Sequence, residues 1–306
     1  MINKFPSRIL VMCTVTNDCN QVCKHCVTNA RSCRKELELR IIEEMISDLK
    51  LLGVEHLVSF VGGEATIWSG FFSMLGSEWF ASIKNKMLYT NATALDDEKI
   101  NKICESNFFE VRVSVDSDKK EEHDDLRGNG TFEKTINTMQ KMIEKDIPVT
   151  TATVIKKNNI DKLDKIITFL KEKGVCSIHL LPFFLNGRGE LQKKYVCEEA
   201  YIEQTMEQIK NKFNQYVYDN NSLCKNGTAY FKINFDGQCI LQQDRDKKIL
   251  GNLYEESFFD LYKKALNMFE YENINCSRCN NYNNPRECRN MHKYCKFDLF
   301  LNGKQD

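Results

Sequence analysis

The sequence predicts an α/β protein built on a parallel sheet. Runs of β-branched apolar residues alternate with stretches of helical spacing, giving six strand-helix units in about the first 195 residues. Such alternation is typical of parallel sheets covered by helices. Six units are too few for a complete eight-stranded barrel, so an open doubly wound sheet and an incomplete barrel both fit. In either fold, ligands bind beyond the carboxyl ends of the strands.

The predicted elements follow one another in a regular order. The strands are predicted at residues 9–15, 56–61, 87–90, 109–115, 149–155 and 177–182. The helices between them are predicted at residues 36–52, 71–83, 95–104, 131–145 and 160–173. Gly53 and Gly174 follow the first and last of these helices, and glycine commonly ends a helix. The acidic run at residues 118–125 is predicted to be a solvated loop.

The pattern changes after Gly189. Three elements are predicted there: a helix at residues 198–218, a hairpin of residues 229–235 and 239–243 around Asp236-Gly237, and a helix at residues 257–269. The tail from residue 273 is rich in Asn, Arg and Cys and too poor in apolar residues to build a core. We therefore expect a core domain of residues 1–195 and a small α+β domain of residues 196–306.

Composition excludes several classes of protein. The 306-residue chain carries 43 basic and 43 acidic residues, whereas a nucleic-acid-binding protein normally shows a basic excess. No apolar stretch approaches the roughly 20 residues of a membrane span, and the apolar run at residues 9–15 lacks a signal-peptide cleavage site. We expect a cytoplasmic protein that binds neither nucleic acid nor membranes. Its 14 cysteines are then expected to be thiolates rather than disulfides.

Three cysteines directly follow the first predicted strand. Cys19, Cys23 and Cys26 have the spacing C-x3-C-x2-C. Three thiolates can bind three irons of a 4Fe-4S cluster and leave the fourth iron open, whereas most electron-transfer clusters use four cysteines. An open iron suggests that a substrate or cofactor binds there. A zinc site completed by His25 or Cys33 is the alternative.

Glycines and polar residues also end the later strands. They are Gly62-Gly63-Glu64 after the second strand, Asn91 after the third, Ser114 and Asp116 after the fourth, His123-Asp-x-x-Arg127-Gly128 beyond it, and Gly187-Arg188 after the sixth. Glycines at a strand end let the backbone approach a ligand closely, and Glu64 can bind a cationic amino group. Each motif alone is weak evidence of a binding site, but together they lie at the carboxyl edge of the sheet, where a ligand is expected.

Together these motifs resemble the radical S-adenosylmethionine (radical SAM) enzymes. The resemblance implies a TIM-like partial (β/α)6 barrel over about residues 8–195 and a SAM-binding 4Fe-4S cluster on the three cysteines. It implies reductive cleavage of SAM to methionine and a 5′-deoxyadenosyl radical, which abstracts a hydrogen atom. It further implies that Glu64 binds the methionine amino group and Arg127 its carboxylate. The other implied SAM-binding residues are His25, Gly62, Gly63, Asn91, Ser114 and Asp116, the last three near the ribose.

A second set of cysteines lies in the C-terminal third. They are Cys224, Cys239, Cys276, Cys279, Cys288 and Cys295. Beside a radical SAM core they resemble the SPASM or twitch extension, in which cysteines around a hairpin and a C-x2-C pair bind auxiliary 4Fe-4S clusters. The spacing C-x2-C-x8-C-x6-C departs from the usual SPASM pattern, so one or two auxiliary clusters are implied. We predict two, with an open iron or with Cys197 as a further ligand; a zinc ribbon is the alternative.

The resemblance also bears on the substrate. It implies maturation of a ribosomal peptide or protein, with a thioether or carbon-carbon crosslink or epimerisation as the result. The chain begins almost directly with the barrel, so we expect a leader peptide to need either a separate binding protein or the bare mouth of the barrel. A flavodoxin- or ferredoxin-type protein is the expected electron donor. Two alternatives stay open: a twitch-type radical dehydrogenase of a small molecule, and a zinc-binding module without catalysis.

Overall fold

A computed structural model describes residues 8–31, 34–218, 228–243 and 246–268. Its strands are β1 (Arg8–Thr16), β2 (Glu55–Gly62), β3 (Asn85–Thr90), β4 (Glu110–Ser114), β5 (Val149–Ile155), β6 (Ile178–Pro182), β7 (Val217–Tyr218), β8 (Thr228–Ile233), β9 (Gln238–Gln243) and β10 (Asp246–Asn252). They form one sheet in the order β10-β9-β8-β1-β2-β3-β4-β5-β6-β7. β1 to β6 are parallel neighbours in chain order, which confirms the predicted α/β core and is consistent with a partial (β/α)6 barrel.

Helices connect the parallel strands. Those in the described residues are α1 (Leu39–Leu51), α2 (Phe71–Leu75), α3 (Glu78–Ala81), α4 (Asp97–Glu105), α5 (Lys120–Arg127), α6 (Thr131–Glu144), α7 (Leu163–Glu172), α8 (Glu199–Phe213) and α9 (Phe258–Met268). α1, α4, α6 and α7 occupy predicted positions, whereas the helix predicted at residues 71–83 is divided into α2 and α3. The division occurs because the Ser77 hydroxyl accepts the N–H of Phe80 and starts a new helix. None of the described helices is both long and apolar enough to cross a membrane.

The run at residues 118–125 is not a loop, so that part of the prediction is wrong. Most of it lies in α5, where His123 is fully buried and Asp124 is 8% exposed. The exposed residues of the run, Lys119, Lys120, Glu121 and Asp125, agree with the predicted solvation.

The helices pack against one face of the sheet. On α1, Ile42, Ile46 and Leu49 are fully buried and lie at the spacing of one helix face. They belong to one apolar core with Val58 and Phe60 of β2. Burial of each such side chain contributes about 1.5–3 kcal/mol to folding, so the core fixes the helices against the strands.

The chain beyond residue 195 returns to the same sheet. β7 extends the sheet beside β6, and β8 runs parallel to β1. The predicted hairpin is present as β8 and β9, joined through Gly237 at φ +80°, a conformation that favours glycine. β10, which the sequence did not predict, adds an antiparallel strand. The domain boundary near residue 195 stays a prediction.

A buried polar network centred on Arg112 occupies the strand face turned away from the helices. The guanidinium donates to Glu110 Oε1 from Nη2 at 2.5 Å and from Nε at 2.7 Å. It also donates to the Tyr89 hydroxyl at 2.5 Å and the Tyr218 hydroxyl at 2.7 Å, and lies 2.8 Å from His179 Nδ1. Arg112 and Glu110 are 3% and 2% exposed. The network therefore links β3, β4, β6 and β7 through charges that compensate each other.

Replacing Arg112 with Met should lower the free energy of unfolding by about 3–5 kcal/mol, because it leaves the Glu110 carboxylate buried without its partner. Urea denaturation followed by circular dichroism measures the change. Lys141→Met is the control, since Lys141 pairs with Asp97 at 2.7 Å on the surface and its loss should cost less than about 1 kcal/mol. Equal costs for the two variants would contradict the role given to the network.

Candidate functional site

The cysteine loop, residues 17–31, follows β1 at the carboxyl edge of the sheet. Gly62 and Gly63 end β2 beside it, and the Gly63 N–H donates to Thr16 O at 2.8 Å. A Cβ on Gly62 would lie 2.8 Å from Thr16 O, and a Cβ on Gly63 would overlap Asp18 O. The double glycine thus lets the end of β2 touch the backbone that carries the cysteines. This close approach is to the cysteine loop itself; a contact of the two glycines with a ligand stays a prediction.

The cysteine loop carries three free thiols. Cys19 and Cys23 are buried and Cys26 is partly buried. The N–H groups of Gln21 and Ala30 donate to the sulfurs of Cys19 and Cys26, each at 3.4 Å. Burial raises the pKa of Cys19 to about 12 and raises the pKa of Cys23; at Cys26, hydrogen bonds within the loop outweigh burial and lower the pKa. Metal binding must displace the thiol protons, and the N–H groups favour the thiolates that result.

The three thiols fit the ligands of a 4Fe-4S cluster. A cluster places each thiolate on a separate iron, and the loop brings together three free thiols, two of which already accept backbone N–H groups. Among the described residues, no three His, Cys, Asp or Glu side chains are arranged around a single metal ion. The zinc alternative needs His25 or Cys33 as a further ligand, and His25 Nε2 lies 3.4 Å from Arg127 Nη2 and 3.8 Å from Asp116 Oδ2. Cys33 lies outside the described residues.

Glu64 is buried and connects the ends of β2 and β3. Its Oε1 accepts hydrogen bonds from the Thr66 hydroxyl at 2.6 Å and the Thr90 hydroxyl at 2.7 Å, and Oε2 accepts the Asn91 N–H at 2.7 Å. Burial raises the pKa of Glu64 in spite of these donors. A carboxylate has about four acceptor positions, so Oε2 can accept a further donor.

Asp116 is fully buried and holds Arg127. The arginine Nε donates to Oδ2 at 2.6 Å, while Oδ1 accepts the Val154 N–H of β5 at 2.9 Å. Burial alone would raise the pKa of Asp116, but Arg127 and Lys156 hold it well below its usual range. The sequence assigned this carboxylate to the ribose. In the structure Oδ2 accepts a hydrogen bond from Arg127 and Oδ1 accepts one from Val154, so the residue orients Arg127. Its contact with the ribose stays a prediction.

The motif His-Asp-x-x-Arg-Gly joins the end of α5 to the start of α6. Asp124 caps α6 by accepting the N–H groups of Gly130 and Phe132, each at 2.8 Å. Gly128 and Gly130 have φ values of +119° and +74°, which favour glycine. The His123 ring lies against the Phe132 ring with centroids 5.5 Å apart. These contacts fix where the arginine of the motif lies.

Asn91 and Ser114 present polar groups at the same edge. Asn91 Nδ2 donates to Asn20 Oδ1 at 2.8 Å and lies 3.9 Å from Cys19 Sγ. Ser114 is half-buried, and its hydroxyl makes no hydrogen bond with the part of the chain that the structure describes. Asn91 therefore supports the cysteine loop directly, while a ligand contact of the Ser114 hydroxyl stays a prediction.

Lys156 belongs to the site although no motif marks it. It follows β5, is 3% exposed, and its ammonium group has no hydrogen bond or ion pair within the described ranges. Burial lowers its pKa. Two buried ring nitrogens, His25 Nδ1 and His123 Nε2, likewise lack a partner among these residues. Burial lowers the pKa of His25 to about 3 and that of His123 to about 4, so both rings are neutral.

Of the six cysteines predicted to bind auxiliary clusters, Cys239 falls within the described residues. It is fully buried in the apolar core, and burial raises its pKa to about 12. The remaining five lie outside the described residues: Cys224, Cys276, Cys279, Cys288 and Cys295. Cys197 is partly buried and packs against the apolar core. The auxiliary ligands therefore stay predictions.

Known proteins resemble this chain in sequence. Residues 13–170 match the family model of the radical SAM superfamily. The chain is 28% identical over 184 residues to the AdoMet-dependent heme synthase of Methanosarcina barkeri, covering 59% of this chain and 52% of that protein. It is 28% identical over 289 residues to the sporulation killing factor maturation protein SkfB of Bacillus subtilis, covering 88% and 69%. The chain spans about half the length of the first curated relatives it matches.

Solved structures share the fold. Streptococcus suis SuiB bound to precursor peptide SuiA has a TM-score of 0.68 at 17% identity, covering 85% of this chain and 65% of SuiB. Native anSMEcpe with bound AdoMet and the Kp18Cys peptide has a TM-score of 0.70 at 16% identity, covering 97% and 99%. The family match spans slightly more than half of the chain and includes the three cysteines, Glu64 and Arg127. The chain therefore belongs to the radical SAM superfamily.

Proposed function

We propose that this chain cleaves SAM reductively and directs the resulting radical to a carbon atom of a peptide or protein substrate. The observation that carries the proposal is the gathering of the cysteine loop, Glu64 and the Asp116–Arg127 pair at one edge of the sheet. Radical SAM enzymes use a 4Fe-4S cluster and SAM; when bound here, the reduced cluster would supply the one electron that is consumed when SAM is cleaved into methionine and a 5′-deoxyadenosyl radical. The protein binds and orients these groups and excludes competing reactions.

Different residues of the site would bind different groups of SAM and of its cluster. Cys19, Cys23 and Cys26 would hold three irons. Glu64 Oε2 has an acceptor position left for the methionine ammonium group. Arg127 is held through Nε, and its Nη1 makes no hydrogen bond in the described ranges, so it keeps donors for the methionine carboxylate.

Other residues act mainly through their positions. Ser114 and Asn91 are the candidates for the ribose hydroxyls, since both lie at strand ends beside the loop. His25, with a pKa of about 3, contributes a neutral ring rather than a charge before the third cysteine. Gly62 and Gly63 hold the cysteine loop against β2. Asp116 serves SAM indirectly, by orienting the arginine.

A peptide substrate is supported by two observations. SkfB, a relative in sequence, is a maturation protein, and SuiB, which shares the fold, has been solved with a bound precursor peptide. Large apolar side chains are also exposed in the cysteine loop and after β6: Val22, Val27, Phe184, Leu185 and Leu191. Exposed apolar groups of this kind commonly mark interaction surfaces. A separate leader-peptide-binding protein and a flavodoxin- or ferredoxin-type electron donor complete the proposal, with auxiliary clusters on the C-terminal cysteines.

Anaerobically reconstituted protein, reduced with dithionite, should release 5′-deoxyadenosine from SAM. Cys19→Ala, Cys23→Ala and Cys26→Ala should each abolish this release, because each removes a ligand of the SAM-binding cluster. Chromatography of the nucleoside product together with iron analysis measures the effect. Cys104→Ala is the matched control, since this exposed thiol lies on α4 away from the loop. A colourless wild-type protein containing only zinc would disprove the proposed function.

Asp116→Asn should weaken SAM binding about tenfold to a hundredfold, because the buried Arg127 loses the charge that orients it. Arg127→Lys should weaken binding to a similar degree, since an ammonium group cannot replace the fork of donors. Equilibrium dialysis of SAM against reconstituted protein measures both affinities. Lys157→Met, which changes an exposed lysine next to the site, is the control. Unaltered affinity in both site variants would show that the pair does not serve SAM.

A further inference from the structure

The segment that follows β6 lies directly against the cysteine loop. Gly187 has φ +57°, and a Cβ at this position would lie 2.5 Å from Cys26 O and 2.9 Å from Val27 O. Two backbone carbonyls thus occupy the space that a side chain would need. The backbone that leads into the next residue, Arg188, is therefore already in contact with the loop.

Arg188 binds the cysteine loop through its backbone and its side chain. Its N–H donates to Cys26 O at 3.0 Å. Its Nε donates to Cys23 O at 2.8 Å, and its Nη1 donates to Ala30 O at 2.7 Å and to Asn29 Oδ1 at 3.3 Å. Carbonyl groups on both sides of Cys26 are therefore attached to one planar guanidinium, whose rigid fork fixes their relative positions.

The loop depends on such external contacts. Residues 17–31 form turns and bends but neither a helix nor a strand. Irregular backbone keeps one geometry only where neighbouring elements satisfy its polar groups. The end of β2 holds the first residues of the loop, whereas Arg188 holds the part that contains the second and third cysteines.

We propose that Arg188 is a positioning residue for the thiolates of Cys23 and Cys26. It fixes the backbone that carries them and places a positive charge beside the cluster that they would bind. This charge stabilises the more negative, reduced cluster and so raises its midpoint potential. The identity of the cluster rests on the proposed function, whereas the effect on the loop does not.

Three variants separate the fork of donors from the charge. R188K keeps the charge but loses the planar fork, and R188Q loses the charge as well. K193Q removes the same charge from the same segment, at an exposed lysine whose side chain makes no hydrogen bond in the described residues. It is the matched control for both.

Hydrogen exchange of the cluster-free protein tests the positioning of the loop. Amides of residues 19–30 should exchange at least about tenfold faster in R188K and R188Q than in wild type and K193Q, because several hydrogen bonds to the loop are lost. The urea midpoint of global unfolding should stay equal to that of K193Q. Equal loop exchange in all four proteins would overturn the proposal.

Reconstituted protein tests the charge. The paramagnetic resonance signal that changes on addition of SAM identifies the cluster of the cysteine loop. Its midpoint potential should shift to more negative values in R188Q and stay near wild type in R188K and K193Q. In R188K a chelator should nevertheless remove the cluster about tenfold faster or more, since outer-sphere partners commonly affect metal binding to this degree.

The possible failures are distinguishable. If R188Q and K193Q shift the potential equally, the charge of Arg188 has no special effect and that half of the proposal is overturned. If wild-type protein forms no cluster that responds to SAM, the proposed function fails instead. The exchange experiment keeps its meaning in that case, because it needs no cluster.

Discussion

The site depends above all on one buried charge pair, Asp116 with Arg127. Removing a carboxylate from water costs several kcal/mol, about the stability of a whole domain if nothing compensates it. Here the arginine Nε and the Val154 N–H bind the two oxygens. Separating β4, β5 and α5 would expose the Asp116 carboxylate to water or leave it buried without its partners. The pair therefore fixes three elements together and, through them, the place of a guanidinium beside the cysteine loop.

A second buried charge lies deeper along the same strand. Glu110, Arg112, Ser114 and Asp116 are spaced two residues apart and therefore share one face of β4 and its extension. The first two have their partners inside the protein and brace β3, β6 and β7. Ser114, half-buried, separates this network from the Asp116–Arg127 pair. One strand thus carries a structural polar network at Glu110 and Arg112 and, beyond it, the residues that we propose to serve SAM binding.

The sequence predicted the parts of this molecule whose signals are local. Strand runs, helix periods and the Asp236-Gly237 turn depend on neighbours in sequence, and the structure follows them. Contacts between distant residues could not be predicted in this way. The partners of Arg112 come from four strands, and the buried carboxylate of Asp116 finds Arg127 only after the chain has turned through α5. The run at residues 118–125 was predicted to be a loop for the same reason, because the contacts of His123 and Asp124 with the start of α6 cannot be inferred from sequence spacing.

The cysteine loop connects parts of the sheet that do not pair with each other. Within the described sheet β1 and β6 are separated by four strands and do not pair. The loop after β1 nevertheless contacts Gly63 at the end of β2 and Gly187 after β6, each at a distance that excludes a side chain. The backbone of the loop therefore connects the end of β2 with the segment that follows β6. Glycines fit the two contact points because a Cβ would meet loop backbone there, and the planar guanidinium of Arg188 satisfies loop carbonyls on both sides of Cys26. The same contacts thus bear on the backbone that carries the three thiols.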